Sequence, residues 1–198
     1  IPYEENGHSK EKILNSGYIV KSPGIPGDVP ICLEARSQNI LVGSEIEFAS
    51  YFTKAKVVGI TGTNGKTTTT KLTYDILKHA GYDVGLAGNI GISWARALCD
   101  KDHDYWVLEI SSFQLDDVRN LHCHIATLLN ITEDHLDRYD YKMENYIKSK
   151  FKITHNQNEQ DHFVYNVEDQ NIETYMQKKK KPKKYPLSTS GKISDTGA

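Results

Sequence analysis

Lys66 and Thr67 stand directly behind a short loop, Gly62-Thr63-Asn64-Gly65, and these residue types in this order suit a phosphate chain. A glycine loop turns several backbone N–H groups toward one point, and the amino end of a following helix adds partial positive charge there. Lys66 is expected to reach the β- and γ-phosphates and the Thr67 hydroxyl to ligate Mg2+, with Gly62, Thr63, Asn64, Gly65 and Thr68 completing a phosphate-binding loop. The strict P-loop pattern asks for glycine at position 60, where Ile60 stands, and Gly59 falls one residue early. What survives is Gly-Lys-Thr between a strand and a helix, and that setting carries the physics. The bland alternative is a glycine turn beside a surface lysine.

Glu109 closes an otherwise apolar run, Tyr105-Trp106-Val107-Leu108, where a carboxylate is costly unless paired or bound to a cation. It reads as a Mg2+ ligand beside the triphosphate, against the alternative of a solvated strand end. His135 lies among Glu133, Asp134 and Asp137; a neutral imidazole there could ligate a metal, although a histidine among acids is equally at home on a surface. Asn89 and Gln114 are uncharged donors and acceptors suited to a substrate's carbonyl or hydroxyl groups. Lys148, Lys150 and Lys152 recur at every second position and so cannot share one helix face; spacing does not say which points inward, and all three read as solvated. The run Lys178 to Lys184 reads as a solvated loop before a strand rather than a nucleic-acid patch, since no aromatic residues interleave it.

These residues need elements to hold them. Val57, Val58, Ile60 and Thr61 form a β-branched run that predicts a buried strand, and a helix follows from Lys66 to about Ala80, with Leu72, Ile76 and Leu77 at helical spacing and Gly81 as its stop. Further strands are predicted at Asp83 to Ala87, Tyr105 to Ile110, Ile125 to Leu129 and His162 to Val167, with helices near Ser93 to Leu98 and Met143 to Ile153. Upstream, a strand at Tyr18 to Val20, a helix capped by Asp28, a strand at Ile40 to Val42 and a helix opened by a Ser44/Glu47 capping box give a second α/β alternation. Phe48, Tyr51 and Phe52 are expected to form the apolar face of that last helix. The fold class is therefore α/β: a parallel-sheet P-loop central domain, residues 55 to 198, preceded by the remainder of a Rossmann-like domain, residues 1 to 54. Ligands of parallel α/β sheets bind beyond the carboxyl ends of the strands, and Lys66, Asn89, Glu109 and His135 all fall there.

The chain has 198 residues and a net charge of −2, which gives no electrostatic case for nucleic acid or an anionic membrane. Its hydrophobic fraction of 38% contains no membrane-length run, and no signal peptide is visible. Cys32, Cys99 and Cys123 are odd in number and far apart, so a disulfide framework and a zinc site are both unsupported and a reducing cytoplasm is expected.

Taken together, Thr61 to Thr68, Gly88-Asn89-Ile90-Gly91, Glu109-Ile110-Ser111-Ser112-Phe113-Gln114-Leu115 and Asn130-Ile131-Thr132-Glu133-Asp134-His135-Leu136-Asp137-Arg138-Tyr139 resemble the Mur ligase family. The strings Ser-Ser-Phe-Gln-Leu and Glu-Asp-His-Leu-Asp-Arg-Tyr are closest to the branch that joins D-glutamate to UDP-N-acetylmuramoyl-L-alanine, and Ser22-Pro23-Gly24-Ile25 resembles that branch's first-domain loop. The resemblance implies ATP-driven amide formation through an acyl phosphate in peptidoglycan precursor synthesis. It implies two Mg2+ ions, the first held by Thr67 and Glu109 and the second served by His135 and a carbamylated lysine, placed by the string Ser149-Lys150-Phe151 at Lys150. Lys66, Glu109, His135 and Lys150 would then be the catalytic set, with Ser22, Asn89, Ser111, Gln114 and His135 touching the UDP-sugar. The family carries a glycine-rich strand before this chain's start and a third domain beyond its end. The isolated polypeptide, expected to be a monomer, is therefore predicted not to turn over. Two rival readings are a related ligase for another amino acid and a non-catalytic nucleotide-binding module.

Overall fold

The computed structural model describes residues 3–176 and 182–191. A short helix α1 (Lys10–Leu14), unanticipated in the polar amino-terminal stretch, leads to β1 (Tyr18–Lys21), α2 (Pro30–Ser37), β2 (Leu41–Ser44) and α3 (Glu45–Ser50). Strands β1 and β2 pair in parallel as a two-stranded sheet, and Cys32, Ala35 and Val42 form its small core. The cap of α2 is Val29 rather than Asp28, because Pro30 takes the first helical position, where its missing N–H costs nothing.

The chain then builds β3 (Lys56–Thr61), α4 (Lys66–His79), β4 (Val84–Gly88), α5 (Trp94–Asp100), β5 (Tyr105–Glu109), α6 (Ser112–Asp116) and β6 (Ile125–Leu128). After a 3-10 turn at Leu136–Tyr139 come α7 (Met143–Phe151), a second such turn (Lys152–Thr154), β7 (His162–Asn166), α8 (Gln170–Met176) and β8 (Lys183–Leu187). The order β4-β5-β3-β6-β7-β8 makes one parallel six-stranded sheet. From β3 the chain fills one side and then crosses to the other, so the reversal in strand order falls beside β3, where parallel sheets open a ligand crevice.

Alternation along the strands divides the core between two faces. Trp106 and Leu108 join Trp94, Ile110 and Leu115 beneath α5 and α6, while Val107, Val58 and Ile60 face the other way with Tyr74 and Leu77 of α4. The sheet-facing surface of α4 therefore uses Thr70, Tyr74 and Leu77; Leu72 and Ile76 are exposed, contrary to the apolar face expected from their spacing. Likewise α3 buries Ile46, Glu47 and Ala49 and leaves Tyr51 and Phe52 exposed.

Glu47 also departs from the expected capping box. Ser44 does cap α3, its hydroxyl accepting from the Glu47 N–H at 3.4 Å, but the Glu47 carboxylate turns away. It accepts from the backbone N–H groups of Arg119, Asn120 and Leu121 at 2.9–3.2 Å, which tie the first sheet's last helix to the loop before β6. A second tie is the buried pair Lys21–Asp117 at 2.9 Å, flanked by Arg36–Asp117 at 3.1 Å. Of the basic run, Lys178 to Lys181 lie outside the described residues, and Lys183 and Lys184 open β8. No helix among the described residues is long and apolar enough to cross a membrane.

Candidate active site

Strand β3 delivers its loop at the middle of the sheet, and Gly65 ends it in the left-handed region (φ 81°) as the cap of α4. A side chain there would be strained, so glycine lets the helix start within a turn of the strand. The loop is held from the side. Asn64 N–H donates to Asn130 Oδ1 at 2.8 Å, Asn130 Nδ2 returns a bond to Asn64 O at 3.0 Å, and Thr63 N–H donates to Asn130 O at 2.9 Å. The Thr63 hydroxyl accepts from Thr132 N–H at 3.0 Å and meets the Tyr146 hydroxyl at 3.3 Å. Lys66 folds back, its ammonium donating to the Gly62 and Thr63 carbonyls at 3.0 and 2.8 Å.

Register brings Glu109 to this loop. It pairs with Ile60 of β3 on one side and Gly88 of β4 on the other, at the carboxyl end of both. Its Oε2 accepts from the Thr67 hydroxyl at 2.7 Å and its Oε1 from Asn89 Nδ2 at 2.8 Å. Gly88, at φ 107°, is obligatory for that approach, since a Cβ there would lie 2.3 Å from the Glu109 carbonyl oxygen. Glu109 is 3% exposed, and its partners among the described residues are neutral.

Opposite lies Lys150, 1% exposed, which corrects the reading of three solvated lysines. Lys148 pairs outward with Glu144 at 2.8 Å and Lys152 donates to the Asp116 carbonyl at 2.7 Å, but Lys150 donates to Gly62 O at 2.8 Å and rests 4.6 Å from the Tyr146 ring centre. Burial pushes its ammonium down to about 7, with the Lys66 charge pressing the same way and Asp134 opposing. His135 sits in the left-handed region (φ 50°), a strained conformation for a non-glycine residue of the kind that collects at functional sites. Its ring packs on Phe113 at 5.1 Å, and its Nε2 lies 3.5 Å from Asp134.

Lys66, Asn89, Ser111, His135 and Lys150 line one cavity of about 190 Å3 together with Pro23 from the first sheet's loop. Thr67 and Glu109 join them through Asn89. Ser22 and Gln114 are not among its lining residues. Ser22 is exposed, its carbonyl accepting from Lys21 Nζ at 3.4 Å. Gln114 is buried, and its Oε1 accepts from Ser111 N–H at 3.0 Å while Ser111 Oγ accepts from Gln114 N–H, a capping box that starts α6. Sequence reasoning missed Tyr146, whose place four residues before Lys150 on α7 puts both on one face, and Arg138, which donates to the Pro23 and Gly24 carbonyls across the sheets.

The donor set suits Mg2+. A buried carboxylate with neutral partners and a hydroxyl 2.7 Å from it supply hard oxygen ligands. No group of three or more metal-binding side chains occurs among the described residues, so an ion here would complete its shell with phosphate oxygens and water, as Mg2+ commonly does. Lys150 as a free amine is a poor ligand for that ion; a carbamate on it would add an oxygen donor beside His135.

Residues 60–196 match the family model of the Mur ligase middle domain. Proteins named UDP-N-acetylmuramoylalanine--D-glutamate ligase are similar: that of Christiangramia forsetii is 48% identical over 196 residues, 98% of this chain and 44% of the relative, and that of Bacteroides thetaiotaomicron is 54% identical over 165 residues, 83% and 37%. The chain thus spans less than half the length of these relatives. Among solved structures, MurF ligase from Thermotoga maritima in complex with ADP superposes with a TM-score of 0.60 at 19% identity, covering 90% of this chain and 52% of that one. The ligase MPL from Neisseria meningitides gives 0.60 at 17% identity, covering 91% and 62%; at such identities the likeness speaks for the fold. With the family model matched over most of its length and half of its residues shared with those relatives, the chain belongs to the Mur ligase family.

Proposed function

We propose that this chain is the nucleotide-handling portion of the ligase that adds D-glutamate to UDP-N-acetylmuramoyl-L-alanine in peptidoglycan precursor synthesis. One observation carries the reading: Lys66, Asn89, His135 and Lys150 line a single cavity, with Thr67 and Glu109 hydrogen-bonded beside it. A phosphate loop alone would serve a nucleotide switch; a histidine, an asparagine and a buried lysine at the same place supply contacts for a second substrate. The amino acid is inferred from the relatives' names and the motif strings.

A carboxylate is a poor acyl donor because oxide would have to leave. Transfer of the γ-phosphoryl of ATP to it gives an acyl phosphate, and attack by the D-glutamate amine then expels phosphate. In that scheme Lys66 exchanges the Gly62 and Thr63 carbonyls for phosphate oxygens and stabilises the charge on the moving group. Thr67 and Glu109 would hold one Mg2+, and His135 with carbamylated Lys150 a second; the ions would neutralise charge on the phosphates. Asn89 anchors the Glu109 carboxylate and, with Ser111 and His135, faces the sugar nucleotide; Ser22 and Gln114 would act from the rim, Gln114 by shaping the Ser111 turn. Every group in this scheme comes from one chain, which favours a monomer, and ATP with a UDP-sugar as substrates favours the cytoplasm.

The test is ADP release with UDP-N-acetylmuramoyl-L-alanine and D-glutamate, L-alanine or a diamino acid, assayed in the full-length protein and in the 198-residue chain. Turnover by the full-length protein with D-glutamate and none by the chain is expected. Preference for another amino acid would reassign the branch, and steady turnover by the chain alone would remove the prediction that it is inactive.

A further inference from the structure

The loop that follows β1 reaches the cavity through Pro23, and its carbonyls are held from two sides, by Lys21, whose Nζ donates to Ile25 O at 2.6 Å and Ser22 O at 3.4 Å, and by the histidine segment of the other sheet. Arg138 Nη1 donates to Gly24 O at 3.1 Å and Nη2 reaches Pro23 O at 3.5 Å. The same guanidinium sits over Phe113, its Cζ 4.6 Å from the ring centre, and Phe113 packs on His135 at 5.1 Å and on Tyr139 at 6.2 Å. Arg138 pairs with no carboxylate among the described residues. Its planar fork is spent on two neighbouring carbonyls and an aromatic face, a use for which lysine is no substitute. The far end of the loop is held separately, by Arg36 donating to Gly27 O.

The consequence for the loop is directional. In a trans peptide the carbonyl and the next N–H point opposite ways, so drawing the Pro23 carbonyl toward Arg138 aims the Gly24 N–H away from it. The Ile25 N–H is already used within the turn, donating to Ser22 O at 3.0 Å, whereas the Gly24 N–H has no partner among the described residues. We propose that Arg138 is a positioning residue for the sugar-nucleotide substrate: by clasping the Pro23 and Gly24 carbonyls while stacking on Phe113, it fixes this loop and the His135 ring in one relative pose across the cavity. The proposal deepens the ligase reading and rests on it for the identity of the substrate. Arg138 itself does not line the cavity and takes no part in the chemistry.

Two measurements on the full-length protein separate this role from a general structural one. Hydrogen exchange of the 22–28 amides, Ile25 above all, is expected to quicken about 5-fold or more in Arg138→Ala while the 62–66 amides keep their wild-type rates. By calorimetry, the Kd for UDP-N-acetylmuramoyl-L-alanine is expected to rise about 10-fold with the Kd for ATP within about 2-fold of wild type, and KM for the sugar nucleotide to rise more than kcat falls. Arg138→Lys keeps the charge and stem but cannot fork, so it should show the same split at smaller amplitude. Unchanged exchange at 22–28, or equal loss of ATP and sugar-nucleotide affinity, overturns the proposal. Failure of the wild-type protein to bind the sugar nucleotide would instead overturn the ligase reading, and the exchange data would still decide whether Arg138 clasps the loop.

Discussion

The Thr67 hydroxyl donates to Glu109 Oε2 at 2.7 Å across the gap between two different strands' ends, while Asn89 occupies the other carboxylate oxygen at 2.8 Å. Three segments far apart in sequence are thereby joined at one carboxylate. Glu109→Gln keeps the shape but removes the charge: its Oε1 can still accept from Asn89 while its NH2 must turn to the Thr67 hydroxyl oxygen, which leaves one hard oxygen fewer for a cation. The expected result is a loss of about 10-fold or more in affinity for Mg2+-ATP with little change for ATP in EDTA, read by calorimetry in both buffers.

Lys150 is nearly out of solvent, and burial brings its pKa down to about 7, which favours the neutral, nucleophilic amine far more than at an exposed lysine. In the full-length protein, labelled bicarbonate should give a carbamate carbon signal that Lys150→Arg abolishes. Activity lost in Lys150→Ala should return in part with a small carboxylic acid added to the buffer.

Glu47 satisfies three consecutive backbone N–H groups from a buried position. Glu47→Ala would leave them unpaired at a cost of roughly 2–4 kcal/mol, and Glu47→Gln somewhat less, read as a lower midpoint of urea unfolding.

The Lys21–Asp117 pair is buried on both sides, at 4% and 7% side-chain exposure. Asp117→Asn removes the carboxylate from a buried ammonium that then keeps, among the described residues, the Ile25 and Ser22 carbonyls, and should cost about 3 kcal/mol, whereas the double change Lys21→Met with Asp117→Leu should recover much of it. A fully additive double mutant would argue that the two charges do not sense each other.

His124 accepts the Val57 N–H at Nδ1 (3.2 Å), so its proton belongs on Nε2. Burial and then the neighbouring His122 hold its pKa below 6.5, against an opposing pull from Asp161, with Lys56 adding the smallest push downward. A group that resists protonation only when folded stabilises the protein above its unfolded pKa and loses that contribution as pH falls through the folded one. Chemical stability should therefore drop as pH is lowered below about 6.5, and His124→Gln should flatten that slope.

The strand, loop and helix around Lys66 were legible because their causes are local: a β-branched run, glycines where φ turns positive, and Gly-Lys-Thr at the helix start. Glu109 was legible for the same reason, as the one carboxylate closing an apolar strand. The errors have a common origin in distance. Glu47 finds its partners 72 to 74 residues away, so a local capping box was the natural but wrong inference. Leu72 and Ile76 were assigned inward by spacing, but the sheet meets α4 along Thr70, Tyr74 and Leu77, a face chosen by how β3 enters the helix. Which of three alternating lysines is buried depends on the Gly62 carbonyl, 88 residues from Lys150, and no period in the sequence encodes that.

The reciprocal amide bonds between Asn64 and Asn130 have a mechanical meaning. They rivet the Gly62–Gly65 loop to the segment that continues into His135, and the Thr63 hydroxyl adds a second rivet at Thr132. Any displacement at one end is handed on to the other, so a substitution of Asn130, whose side-chain amide makes both bonds to the Asn64 backbone, would detune both halves of the crevice at once. The loop before α4 and the His135 imidazole are thus set by one shared pair of hydrogen bonds and cannot be adjusted independently.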